Sequence, residues 1–243
     1  MTLAACEFPT LRGRKHAPTA DQIIAARKAA HARGHAPLAL AYAIQFEGTN
    51  RQTDVMGQWV PLSERVPSAV IDGNKKWIGP TWKHVDRHLV LRFMPSKTDK
   101  TTQKEVAIDF KACPMVMEEL QHIPPEARQG PLIINPETKL PYLYRRSRYL
   151  WRRSGTSKAG KVIAGISVDA GIPNEIWNRD FRAGGISEAR RAAVPLADVA
   201  KVAGHAHERT TDGYDRTALQ TQQRLMKARI QQRKREEDDR FEQ

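Results

Sequence analysis

The stretch "APLALAYAIQFEG", Ala36 to Gly48, holds no charged residue before Glu47, although 28% of the chain is charged. Its apolar residues neither alternate with polar ones nor line up on one stripe. After Pro37 it therefore reads as a mostly buried helix that ends near Gly48. A buried helix needs other elements around it, and 243 residues are enough to enclose a sizeable core. A single compact body is the default expectation.

The flanking segments carry helix punctuation. "TADQIIAARKAAHARG" opens on a Thr-x-x-Gln capping pattern at Thr19, continues with alanine-rich helical spacing and closes at Gly34. "RQTDVMGQW" begins another helix directly after the turn "GTN", which puts Arg51 at a helix entrance. Residues 66 to 110 change character: "SAVIDG", "HLVLRFM" and "EVAIDF" are short β-branched or alternating runs, separated by "NKKWIGP" and "PSKTDKTTQ". They predict a small antiparallel sheet whose last loop is rich in lysine. Helical spacing returns at "PMVMEELQHI", and the proline-punctuated "PPEARQGPLIINPETKLP" has room for one buried strand. "DFRAGGISEARRAA" and "PLADVAKVAG" predict two more helices, followed by a long polar helix from about Thr217 to the end. That tail mixes both signs of charge and reads as a solvated or partner-binding helix.

Lys and Arg number 40 against 27 Asp and Glu, a formal net charge of +13. Such an excess points to a polyanionic partner, nucleic acid or an anionic membrane surface. The most basic stretch is "YLYRRSRYLWRRSGTSKAGK", with seven Lys or Arg and no acid. It reads as an amphipathic helix that packs Tyr149 and Trp151 on one side and presents arginines to phosphates on the other. Arg145, Arg146, Arg148, Arg152, Arg153 and Lys158 are its candidate DNA contacts.

No apolar run approaches the roughly 18 residues of a membrane span, and the start lacks a signal-peptide core and cleavage site. A cytoplasmic protein is expected. Cys6 and Cys113 are too few for a disulfide scaffold or a zinc cluster. His84 and His88 stand at i, i+4, but the acid between them is misplaced for a zinc-hydrolase motif and no third ligand is evident, so they read as surface histidines. His207 reads as solvated.

"GHAHERTTDGYDR" places Tyr214 nine residues after His205 in a stretch too polar to bury a phenol. A tyrosine hydroxyl is a possible nucleophile toward phosphorus, and arginine forks bind non-bridging oxygens. With three other segments, in this order, the stretch resembles the tyrosine recombinase, or phage-type integrase, family over roughly residues 17 to 220. "FEGTNRQTDVMG" resembles the first box, a Gly-x-x-Arg turn followed by an acid, and supplies Arg51. "MPSKTDKTTQKEVAI" resembles the β-hairpin bearing the general-acid lysine, most simply Lys97, with Lys100 and Lys104 as competitors. "NRDFRAGGISEA" resembles the second-arginine box and supplies Arg182. "VAGHAHERTTDGYDR" resembles the box with His205 and the nucleophile Tyr214.

The resemblance implies a mainly α fold with a small antiparallel three-stranded β-sheet, an α+β domain of the DNA breaking-rejoining enzyme type. It divides the chain into an N-terminal segment (1–16), a catalytic domain (17–220) and a charged C-terminal helix or tail (221–243). Arg51 and Arg182 would neutralise the pentacoordinate phosphate, His205 would donate to a non-bridging oxygen, and Lys97 would protonate the leaving 5′ oxygen. No metal or nucleotide cofactor is implied. The partners are duplex DNA and further copies of the chain, as a tetrameric synapse on two DNA sites, with action at the nucleoid.

Two departures stand out. The family's second box usually begins with His three residues before the arginine, and this chain has Arg179 there. Arginine cannot accept a proton, yet it still donates to phosphate. Members also commonly carry a separate helical DNA-binding domain ahead of the catalytic one. With only about twenty residues before the first helix, the sequence reads as a stand-alone catalytic domain or a truncated derivative. The rival readings are a catalytically impaired DNA-binding remnant or regulator of the same fold, and a type IB topoisomerase.

Overall fold

A computed structural model describes residues 16–95, 105–156, 160, 162–192, 194–203 and 216–241. Helix α1 spans Ala20–Ala32 and starts where the capping pattern places it. The Thr19 hydroxyl accepts from the Gln22 N–H, and the Gln22 carboxamide accepts from the Thr19 N–H. It ends at Gly34, whose φ of 73° lets the His35 N–H reach the Ala30 carbonyl. Helix α2, Ala36–Glu47, follows at once, and every residue from Leu38 to Glu47 is buried. The apolar stretch is thus the central post of the fold.

Helix α3 (Gln52–Met56) leads into strands β1 (Gln58–Pro61), β2 (Ile71–Asp72) and β3 (Lys75–Ile78), an antiparallel sheet in the order β1-β3-β2. Strands β4 (Val90–Phe93) and β5 (Val106–Asp109) form a separate antiparallel pair, with Val90 opposite Asp109 and Phe93 opposite Val106. The expected sheet over residues 66 to 110 is therefore divided. Three strands do pair, but "NKKWI", read above as a separator, is the central one, and it inserts Trp77 under Gly57 and Gly79. The two most apolar runs pair with each other, and Leu91 adds an isolated bridge to Val85. Helix α4 (Pro114–Leu120) matches the helical spacing there. The proline-punctuated connection buries Leu132 and Ile133 but forms isolated bridges, Thr81 to Pro131 and Ile134 to Pro141, in place of the expected strand.

Helix α5 spans Tyr144–Arg152. The basic stretch then turns into a hairpin, β6 (Arg153–Thr156) and β7 (Val162–Ala164), and does not continue as a helix. Helices α6 (Ile166–Asp169), α7 (Phe181–Arg191), α8 (Leu196–Val202) and α9 (Arg216–Phe241) complete the chain. The architecture is mixed, mainly helical with small antiparallel sheets, an α+β fold. Among the described residues no helix is long and apolar enough to cross a membrane.

Around α2 pack α1, α4 and α7. Tyr42 on α2, Trp151 on α5 and Phe181 at the start of α7 meet edge to face, with ring centroids 4.9 to 5.7 Å apart. Close approach of α7 to α2 depends on glycine: a Cβ on Gly185 would lie 2.0 Å from the Phe46 carbonyl oxygen. Helix α9 corrects the expectation of a solvated tail. Leu225, Met226 and Arg229 are fully buried against α2, α7 and β5, while Arg224, Lys227 and the charges of the far end lie in solvent.

His35, at the entry to α2, is buried and shares a 3.1 Å hydrogen bond with the Tyr142 hydroxyl. Burial pushes its pKa below 6.5, the Arg146 and Arg33 charges add to this, and Glu137 opposes it. Below pH 6.5 the unfolded chain therefore binds a proton that the native state resists. Native stability is full above that value and falls as pH drops through it. Urea unfolding between pH 8 and pH 5 should show this loss, and His35→Gln should flatten it; an equally steep decline in the variant would remove His35 from the account.

Candidate functional site

Arg51 sits where α2 hands over to α3. The Asn50 N–H returns to the Gln45 carbonyl at 3.1 Å, a closure that requires a left-handed residue between them. Thr49 fills that place at φ 52°, a conformation costing a non-glycine residue about 1–2 kcal/mol. The glycine stands one position earlier because a Cβ on Gly48 would lie 2.8 Å from the Ile44 oxygen and 2.9 Å from Ile108 Cδ1. Crowding fixes the glycine at 48 and leaves the strain at 49. Thr49 Oγ1, Asn50 Oδ1 and Arg51 Nη1 are buried and lack a hydrogen-bond partner among the described residues. Strain at Thr49 beside buried polar atoms without hydrogen bonds at Thr49 and Asn50 is what a functional turn often carries.

Helix α3 then orients this turn. Gln52 Nε2 donates to Ser147 Oγ on α5 at 3.2 Å, tying the first arginine to the basic helix. One turn on from Arg51, the Asp54 carboxylate lies 3.5 Å from Arg51 Nη1, with the acid 3% and the arginine 26% exposed.

Arg182 approaches from the other side of the core. It follows Phe181, the α7 member of the aromatic trio, so the packing that seats that ring also places the guanidinium. Arg182 Nη2 donates to the Ala203 carbonyl at 2.8 Å, the residue just before Gly204 and His205 in the chain. Burial pushes the Arg182 pKa down to about 10, Arg51 lowers it further as a neighbouring cation, and Asp54 acts in the opposite direction. At neutral pH Arg182 remains a cation. The structure thus brings Arg182 within electrostatic reach of Arg51, far from it in sequence, and of the buried Asp54 that pairs with Arg51. Two guanidiniums and one carboxylate leave a single net positive charge, suited to an oxyanion of charge −1.

The other sequence-predicted residues are distributed as follows. Arg179 lies exposed on the 3-10 turn Asn178–Asp180 that opens α7. That turn is closed by Asp180 Oδ2, which accepts from the Trp177 N–H at 2.8 Å. Arg152 holds the segment just before it: the guanidinium donates to the Asn174 and Ile176 carbonyls and stacks 4.1 Å over the Trp177 ring. Its contacts are with the protein, so it acts as a clamp on the lead-in to Arg179 and Arg182. Arg146 on α5 pairs with Glu137 at 3.2 Å. Arg145 and Arg148 lie on α5, and Arg153 opens β6. Lys97, Lys100, Lys104, Lys158, His205, His207 and Tyr214 lie outside the described residues. Strands β4 and β5 flank the segment that contains Lys97.

Sequence reasoning registered Asp54 only as an acid following the first arginine and gave it no role. Its burial beside Arg51, within electrostatic reach of Arg182, makes it the third member of the cluster. Among the described residues no group of three or more His, Cys, Asp or Glu is placed to hold a metal ion. No family model, no curated protein and no solved structure matches this chain.

Asp54→Asn would leave two like charges with no buried counter-charge. A loss of about 3 kcal/mol in urea unfolding is expected. Inorganic phosphate should restore part of it, because an anion that binds only the native site stabilises by mass action. Unfolding midpoints in phosphate and in chloride at equal ionic strength make the comparison; a variant equally unstable in both would mean that the cluster does not bind oxyanions.

Proposed function

We propose that this chain is the catalytic domain of a tyrosine-type site-specific DNA recombinase, which cuts and rejoins duplex DNA through a 3′-phosphotyrosyl intermediate at Tyr214. The observation that carries the reading is that Arg182, buried on α7, lies within electrostatic reach of Arg51 and of its buried partner Asp54, residues more than a hundred positions away in the chain. Holding two such cations together is unfavourable in the free protein and becomes favourable when a phosphodiester lies between them. The hydrogen bond from Arg182 to Ala203 adds support, since it ties the second arginine to the end of α8, from which the chain continues to His205.

In this reading Tyr214 Oη attacks phosphorus in line with the 5′ oxygen. The new bond is P–Oη and the broken bond is P–O5′. The phenolic proton passes to solvent water as the oxygen attacks, and the departing 5′ oxygen takes a proton from Lys97, so the phosphorus remains a diester and no energy-rich cofactor is consumed. Arg51, Arg182 and His205 donate to the non-bridging oxygens as their charge grows in the pentacoordinate state. Arg179 supplies a further donor where the family usually has histidine, and it cannot serve as a base. The basic helix α5, tied to Arg51 through Gln52 and Ser147, lies beside the duplex. Two DNA sites and several protomers complete the reaction, which places the protein at the nucleoid.

The rival reading, a DNA-binding regulator that has lost activity, is favoured by one feature, Arg179 in place of histidine. A nicked suicide substrate separates the two. The wild-type protein should yield a covalent DNA adduct that survives denaturation, and Tyr214→Phe should yield none. Arg51→Ala and Arg182→Ala should each slow adduct formation by about 10²–10³-fold. Binding of duplex DNA without any adduct in the wild type would decide for the regulator.

A further inference from the structure

We infer that Arg229, a buried arginine on the C-terminal helix, is a positioning residue that holds Arg51 and Arg182 together, so that the docked state of α9 sets the geometry of the phosphate site.

Arg229 is 0% exposed in a helix whose sequence reads as polar. Its Nη1 donates to the Glu47 carbonyl at 2.7 Å and its Nη2 to the Phe46 carbonyl at 3.0 Å, the last two carbonyls of α2. These belong to the four that a helix C-terminus leaves without intrahelical partners. The guanidinium stacks 4.8 Å over the Phe46 ring, and its Nε is bonded to the Glu188 carboxylate. Arg233, one turn on, adds bonds to both Glu188 oxygens, at 2.7 and 3.0 Å, and one to Glu47 at 3.3 Å. Burial favours the neutral acid at Glu188, but the Arg229 and Arg233 charges outweigh it and hold the carboxyl below the usual range.

Where these contacts lead is the basis of the inference. Phe46 and Glu47 are followed by Gly48 and then by the strained Thr49 that delivers Arg51. Glu188 lies six residues after Arg182 on α7, about 9 Å of helical rise. One planar fork therefore grips the end of the element that carries Arg51 and the body of the element that carries Arg182. Gly185 makes room for it: a Cβ there would be 2.0 Å from the Phe46 oxygen and 3.1 Å from Arg229 Nη2. Further down the helix Arg240 pairs with Asp21 at the surface and touches neither element. Helix α9 also begins two residues after Tyr214 in the chain. The helix that follows the phenol thus organises the arginine pair.

This inference rests on the recombinase reading for its kinetic test and on geometry alone for a second test. The proteins compared are wild type, Arg229→Met, Arg229→Lys and the surface control Arg240→Ala. A lysine keeps the charge beside Glu188 but cannot serve both carbonyls and the carboxylate with one fixed fork. With the suicide substrate saturating, single-turnover adduct formation should fall about a hundredfold in folded Arg229→Met and substantially in Arg229→Lys. The DNA dissociation constant should stay near that of wild type, and Arg240→Ala should match wild type in both. A folded Arg229 variant that forms adduct at the wild-type rate would overturn the inference. So would a rate lost only through weaker DNA binding, or failure of both Arg229 variants to fold, which would make it an ordinary core residue.

If wild type forms no adduct, the recombinase reading fails by itself, and the arginine side-chain NMR signals still test the positioning. Those of Arg51 and Arg182 should both move in Arg229→Lys, and unchanged signals would overturn the inference.

Discussion

Two positive charges held beside each other inside a protein repel, and the fold has to supply the force that keeps them there. Arg51 and Arg182 are such a pair, and the depressed pKa of Arg182 records both its burial and its neighbour. Asp54 relieves part of the repulsion from one side. The remainder is sustained by the packing of the elements that deliver the two arginines, α2 with its turn into α3 and α7, which are held together by aromatic contacts and by the Arg229–Glu188 network. Such a site is preorganised. On the proposed reading its donors would be in place before a phosphate arrives, which keeps reorganisation on binding small.

The rigidity comes from a short list of contacts. Tyr42, Trp151 and Phe181 pack edge to face and pin α2, α5 and α7 to one another. Gly185 lets α7 approach α2 until backbone meets backbone, and Gly184 lets it approach the segment ahead of α1, where a Cβ would stand 2.4 Å from the Pro18 carbonyl oxygen. At the far end of α2 the same closeness creates a difficulty: a buried helix terminus leaves carbonyls facing no water. Arg229 supplies the missing donors. Its own charge is then matched by Glu188 and that of Arg233 by Glu188 and Glu47, so the buried network is closed on itself. A requirement of helix termination and a requirement of charge balance are met by one side chain.

The helices were largely legible in the sequence because their determinants are local. Thr19 with Gln22, the apolar run to Phe46 and the glycine at 34 fix α1 and α2 through contacts between near neighbours. The sheet was less legible because pairing is not local. "HLVLRFM" and "EVAIDF" show the right period, yet period does not name a partner, and Lys75 and Lys76 disguised the strand that carries Trp77. The C-terminal helix was misjudged for a related reason. An arginine reads the same whether it is solvated or buried, and only Glu188 and two distant carbonyls make Arg229 a core residue. At the site, family-like spacing pointed to Arg51 and Arg182. It could not reveal the strain at Thr49 or the burial of Asp54, which depend on how tightly β5 and α2 crowd Gly48.

The basic composition also changes meaning once its members are placed. A net charge of +13 invites the view that the arginines form one polyanion-binding surface. Several do not. Arg27 is buried against Glu118 and Glu119, Arg229 and Arg233 anchor α9, and Arg152 is bound to carbonyls and to Trp177. Their positive charge is matched or committed within the protein, so the field left for a partner is set by the remainder. Each phosphate neutralised contributes about 0.9 to the salt slope of duplex binding, so the slope counts the cations that reach phosphates and not the total charge. Arg152 illustrates the difference between contact and consequence. It sits in the most basic stretch of the chain, yet in this fold it holds Trp177 and the turn that ring opens, which carries Arg179 and leads directly to Arg182.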